Sequence, residues 1–185
     1  MKLLTNLGLV TSLVAGLSFS AHAIVITPTS GALGTTRWVG PETGQPAIDA
    51  AISGILGSST ELYKQNVGGA EEGLLAASYI TTFNSTDPEN ALIKYVSGNI
   101  IGATAYLLLK DGNNNPGWYL FNLTALGWNG TADIAANGFW PDQGSISHVS
   151  LYGTRGSSSV PDGGTTLALL GMAIGSLGLL RRKIG

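Results

Sequence analysis

The chain has 185 residues, eleven acids against nine lysines and arginines, a net charge of −2 and no cysteine. That excludes a disulfide framework and a thiol nucleophile, argues against a basic nucleic-acid-binding surface, and leaves the domain to be held by its apolar core alone. Charged residues are scarce while Gly, Ser, Thr and Asn abound, a balance typical of exported β-rich domains.

At the N-terminus Lys2 supplies a positive start, Leu3 to Leu17 form an apolar run, and Ala21-His22-Ala23 is a small-x-small cleavage signature. Residues 1–23 read as a signal peptide cut after Ala23, so the mature chain begins at Ile24. From there to Ser159 runs one domain of about 136 residues, long enough to bury a core. Its bases are Arg37, Lys64, Lys94, Lys110 and Arg155; the excess of acids over them argues against nucleic acid as a partner.

Within the domain Ile24 to Thr27 and Thr36 to Val39 are short strand candidates. Pro46 suits a first helical turn, and Ile48, Ala51, Ile52, Ile55 and Leu56 recur at three- and four-residue spacing before Gly57, which predicts one amphipathic helix. The stretch Thr60 to Gly73 has no clear period. Strands are expected at Leu74 to Phe83, Ala91 to Val96, Ala103 to Lys110, Gly117 to Leu126 and Ser145 to Tyr152, from their β-branched and aromatic content. Asp111-Gly-Asn-Asn-Asn-Pro-Gly117 reads as the turn of a hairpin.

The period of two puts Tyr119, Phe121 and Leu123 on one face and Trp118, Leu120 and Asn122 on the other. It likewise sets Val149 and Leu151 opposite Ile146, His148, Ser150 and Tyr152. Apolar residues on both faces mark central strands. The expected fold is all-β: a jelly-roll-like β-sandwich over 24–152 with one short helix, a flexible tether over 153–159 and a tail over 160–185.

That tail reads Val160-Pro161-Asp162-Gly163-Gly164, then uncharged residues from Thr165 to Leu180, then the basic stop Arg181, Arg182 and Lys183. As a helix the apolar part covers about 24 Å, short of a hydrocarbon core of about 30 Å, so it is expected to span a membrane only marginally. The basic stop places its C-terminus in the cytoplasm. The motif, span and stop together resemble the C-terminal sorting signal of the PEP-CTERM group, in its VPDSG-like variant. Gly163 stands where that variant has Ser.

The resemblance implies processing by an exosortase-type enzyme, membrane tethering through the C-terminal helix and delivery to the cell surface or extracellular matrix. A related system that reads a Gly-Gly pair before the span would use Gly163-Gly164. The segments Tyr106 to Gly130 and Gly138 to Gly153 resemble the final strands of exported proteins with this tail. This implies a displayed sandwich with no assigned catalytic residues.

No constellation specifies a reaction, a cofactor or a metal. His148 is the one histidine of the mature chain, and neither Ser147 nor Ser150 stands in a nucleophile turn. Asp111, Asn113 and Asn115 alternate like calcium ligands, but Pro116 occupies the sixth position where Gly is needed and Asn122 the twelfth in place of Glu. Glu71, Glu72, Asp133 and Asp142 show no spacing that singles out a glycosidase pair. Trp128 and Trp140, in Gly- and Asn-flanked loops, are the candidate glycan contacts. The leading expectation is a non-enzymatic surface protein, with a carbohydrate-binding module as the alternative, polysaccharide as its partner, and a glycan hydrolase third.

Overall fold

The computed structural model describes residues 23–111, 114–142 and 144–156. The leader through His22 and the whole tail, with its sorting motif and basic stop, lie outside them. Ala23 is exposed and precedes the first strand.

Ten strands and one helix follow in the order β1 Ile24–Ile26, β2 Arg37–Gly40, α1 Gln45–Leu56, β3 Thr60–Asn66, β4 Glu71–Glu72, β5 Tyr79–Phe83, β6 Ala91–Tyr95, β7 Ile100–Asp111, β8 Trp118–Asn122, β9 Ile134–Ala136 and β10 Ile146–Gly156. They form a four-stranded sheet in the order β1-β9-β6-β5 and a six-stranded sheet in the order β2-β8-β7-β10-β3-β4. All pairings are antiparallel except β1 with β9. Among the described residues the all-β expectation holds, in two sheets with a single short helix. A jelly roll of eight strands differs from this four-plus-six division with its parallel edge pair.

Alternation along the central strands sorts two cores. Leu107, Leu109, Phe121, Val149 and Leu151 point between the sheets and meet Ile26, Ile93 and Ile134 of the small sheet. The alternate residues Tyr106, Leu108, Trp118, Leu120 and Tyr152 point outward and are covered by Ile48, Ile52 and Leu56 of α1. Apolar residues on both faces of β7, β8 and β10 thus follow from a third, helical layer on the large sheet. The parity read for β8 is the observed one. In β10 Ile146 joins Val149 and Leu151 instead of opposing them, because a bulge between Ile146 and His148 resets the alternation.

Helix α1 starts with Pro in its first turn and has no side-chain cap; the Gly44 carbonyl takes the Ala47 and Ile48 N–H groups. It stops at Gly57, whose φ of 59° is strained for any side chain and whose N–H returns to the Ser53 carbonyl.

Several expected boundaries move. Residues 74–78 make turns, with Leu75 N–H donating to the Leu62 carbonyl, and only Tyr79–Phe83 is strand. Beyond Asn122 the chain turns, Leu126 N–H bonding back to the Asn122 carbonyl. Gly153 to Gly156, expected in the tether, are the end of β10, paired with Ala105 through Ile100 of β7. Strands β3, β4 and β9 form where no strand is expected from the sequence.

Strand β1 enters the sandwich at Ile24, whose N–H donates to the Asp133 carbonyl (2.8 Å), and β10 leaves it at Gly156 opposite Ile100. Tyr79 ties these ends of the two sheets: its hydroxyl donates to Gly130 O (2.8 Å) and accepts from Ile101 N (3.0 Å). At the opposite end Ile146 N–H donates to Pro88 O (2.7 Å) and Phe139 N–H to Glu89 O (3.0 Å), joining the sheets through the β5–β6 loop. Both chain ends therefore leave the sandwich at the same end.

Candidate functional site

The two tryptophans singled out for glycan contact are both buried, each 7% exposed. Trp128 lies at the chain-exit end. Its Nε1 donates to the Ala132 carbonyl (2.7 Å) and its ring leans on Tyr79 with centroids 6.1 Å apart. Asn129 folds the intervening turn by accepting from the N–H groups of Thr131 and Ala132. Trp128 is thus a core residue, which corrects the expectation of an open stacking face.

Trp140 lies at the far end, with Nε1 donating to the Pro116 carbonyl (2.7 Å). Its ring meets Tyr119 edge to face at 5.2 Å, and Phe139 at 5.8 Å. Its φ of 53° makes it the one non-glycine in the left-handed region among the described residues. That conformation costs a bulky residue about 1–2 kcal/mol, held here by the aromatic cluster. Trp140 also fails as an exposed platform, yet it borders an open depression of about 430 Å³ shared with half-buried Tyr119, Pro28, Pro116 and Asp142. Burial raises the Tyr119 hydroxyl above its ordinary pKa, and nearby Arg37 works against that rise. The sequence offers Trp140 but not Tyr119 or Pro28, because their convergence depends on β1 ending and β8 beginning near the same loop.

Trp38 and Trp118 serve the helix-covered core, Trp118 donating from Nε1 to Glu42 Oε2 (2.8 Å). Asp111 organises its turn: Oδ2 accepts from Asn114 Nδ2 (2.8 Å) and from Ser145 N–H (3.2 Å). Among the described residues no group of three or more His, Asp or Glu is placed to hold a metal ion.

His148 is 5% exposed on the outer face of the large sheet, directly opposite Lys110 on one side and Asn66 on the other. Burial, reinforced by Lys64 and Lys110, pushes its pKa down to about 3, so it is neutral at physiological pH. Its Nε2 and the Ser150 Oγ are buried without a hydrogen-bond partner among the described residues. Ser147 is turned to the Lys110 carbonyl (3.1 Å). The candidate carboxylates are dispersed: Glu71 and Glu72 form edge strand β4 opposite Gln65 and Lys64, Asp133 sits at the chain-exit end and Asp142 at the far end.

No curated protein and no solved structure matches the chain. Residues 159–184, by contrast, match the VPDSG-CTERM motif, so the chain carries a PEP-CTERM-like sorting tail.

Proposed function

We propose that this protein is cargo of an exosortase-type sorting system. A leader directs it out, the C-terminal span holds it in the inner membrane for a time, and cleavage at the Val160-Pro161-Asp162-Gly163 element passes a non-enzymatic β-sandwich to the surface or extracellular matrix. The observation that carries this reading is the match of residues 159–184 to the sorting motif. General chemistry supports it: a proline has no N–H to donate to a regular helix, and a basic stop after an apolar span favours a cytoplasmic C-terminus, which would leave the motif on the outer side. Mass spectrometry of the C-terminus from the surface fraction tests it. The expected terminal peptide ends between Val160 and Asp162; a peptide that retains Arg181 overturns processing, and one ending at Gly163 or Gly164 assigns the Gly-Gly system.

The Trp140 depression supports a second reading, saccharide binding at the end of the sandwich opposite the chain exit. Its support is an open, partly aromatic hollow with a polar rim at Asp142. On a glycan array the full chain is expected to bind, and Tyr119→Ala to lose the signal. Absence of binding to every polysaccharide removes the idea.

A further inference from the structure

We infer that the exposed apolar margin of the small sheet, Ile80 and Val96 with Val25 beside them, rests on the surface of the lipid bilayer while the tail is anchored, so that the sandwich leans on its chain-exit end over that face with the Trp140 end turned away. This rests on the sorting reading above for the presence of an anchor; the orientation comes from the fold.

Three observations point to it. First, Ile24 and Gly156 are at one end, so the leader before cleavage and the tail afterwards both leave from there. Thr165 is nine residues on from Gly156, a length of chain that even fully extended reaches no more than about 30 Å. β7, running Ile100–Asp111 along the long axis, spans about 36 Å. An anchored tail therefore keeps the chain-exit end within short reach of the membrane and leaves the far end the full length of the sandwich beyond it.

Second, the outer face of the small sheet has no layer over it among the described residues, and its exposed apolar members run from Val25 at mid-sheet to Ile80 and Val96 at that same end. Val25 is 60% exposed, Ile80 44% and Val96 60%. Ile80 pairs directly with Lys94, and Val96 N–H donates to Ser78 O (2.8 Å), so Ile80, Lys94 and Val96 are neighbours on one face by register. Val25 pairs with Ala135 and through it is level with Leu92, so it lies on the same face two residues farther from the chain-exit end than Lys94. Exposed aliphatics around a lysine that can lift its ammonium to the headgroups suit an interface of water and lipid.

Third, charge is distributed along the axis. Glu42, Asp87, Glu89, Asp111 and Asp142 crowd the far end around Lys110, while Lys94 and Arg155 offset Asp133 and Glu61 toward the chain-exit end. Anionic lipid headgroups repel the far end and are neutral toward the near one.

The absence of cysteine lets a single reporter be placed at will. Full-length chain carrying Val96→Cys or Asp87→Cys, each with one fluorophore, is reconstituted into phosphatidylethanolamine–phosphatidylglycerol vesicles doped with headgroup-quencher lipid. Flotation with the vesicles reports the anchor; quenching reports orientation. The expected result is flotation of both chains with at least threefold stronger quenching at position 96 than at 87, and loss of that contrast when Val25→Asp and Ile80→Asp are added while flotation persists. Equal quenching in floating chains, or stronger quenching at 87, overturns the orientation and leaves the anchor standing. A chain that does not float overturns the anchored reading and this inference with it.

Discussion

On the outer face of the large sheet Tyr106, Leu108, Trp118, Leu120 and Tyr152 lie under Ile48, Ile52 and Leu56 of α1. On the outer face of the small sheet Val25, Ile80 and Leu92 stand in alternating positions of the same kind with no layer above them among the described residues. Both patterns look alike in one dimension, since the period of two says only which residues share a face. Whether a face becomes core depends on a second element arriving to cover it. For the large sheet that element is a helix of 12 residues whose Ile48, Ile52 and Leu56 share one buried cluster with side chains of β7, β8 and β10.

The largest effect that sharpens this contrast is in packing. Leu120 is fully buried beneath α1, and its truncation removes apolar area and leaves a cavity that the rigid sheet fills poorly. Leu120→Ala is expected to destabilise the domain by about 2–5 kcal/mol in urea denaturation, against under about 1 kcal/mol for Leu92→Ala on the open face. Equal losses would mean that the two faces are covered alike, and the contrast between them would fail.

A smaller effect is confined to acid. His148 sits on the covered face of the large sheet with Lys110, Lys64 and Asn66 around it, and its folded pKa of about 3 lies below the ordinary 6.5. Between those values the unfolded chain binds a proton that the folded one refuses, so stability falls as pH drops from 6.5 toward 3. Above pH 6.5 the group contributes no slope, and below 3 both states are protonated. His148→Leu removes this component: relative to the parent, its stability is expected to rise by about 2–3 kcal/mol between about pH 7 and pH 4. The carboxylates common to both proteins cancel in that difference. A parallel pair of pH curves would place His148 in contact with water.

How much of the fold is legible in the sequence depends on the same distinction between local pattern and covering element. The face assignments of Trp118 to Phe121, the helix around Ile48 and Ile52, and the hairpin at Asp111 to Gly117 are readable because each depends on local period or turn chemistry. β3 is hidden because Leu62 and Tyr63 are both buried next to a bulge, which erases alternation. β9 is only Ile134–Ala136, too short to carry a period, and exists because β1 and β6 flank it. The tryptophans mislead for a related reason. Gly and Asn around Trp128 and Trp140 correctly mark loops, but those loops fold inward and hand each indole N–H to a backbone carbonyl. The sorting tail is readable in full because a linear motif is recognised as sequence and needs no partner strand.

The smallest expected effect tests the open face most sharply. Val25→Thr keeps the β-branched shape and the parallel pairing with Ala135, and replaces one methyl by a hydroxyl. In the folded domain this side chain is 60% exposed, so the hydroxyl keeps its water and the substitution should change stability by less than about 0.5 kcal/mol. Under a covering layer the same hydroxyl would be desolvated without a partner, at a cost of about 1–3 kcal/mol. A loss of that size in detergent-free solution would mean that a second chain or another segment of this one sits on the small sheet. A neutral result, joined to weaker vesicle quenching at position 96 in the full-length chain, would leave lipid as the surface that Val25 meets.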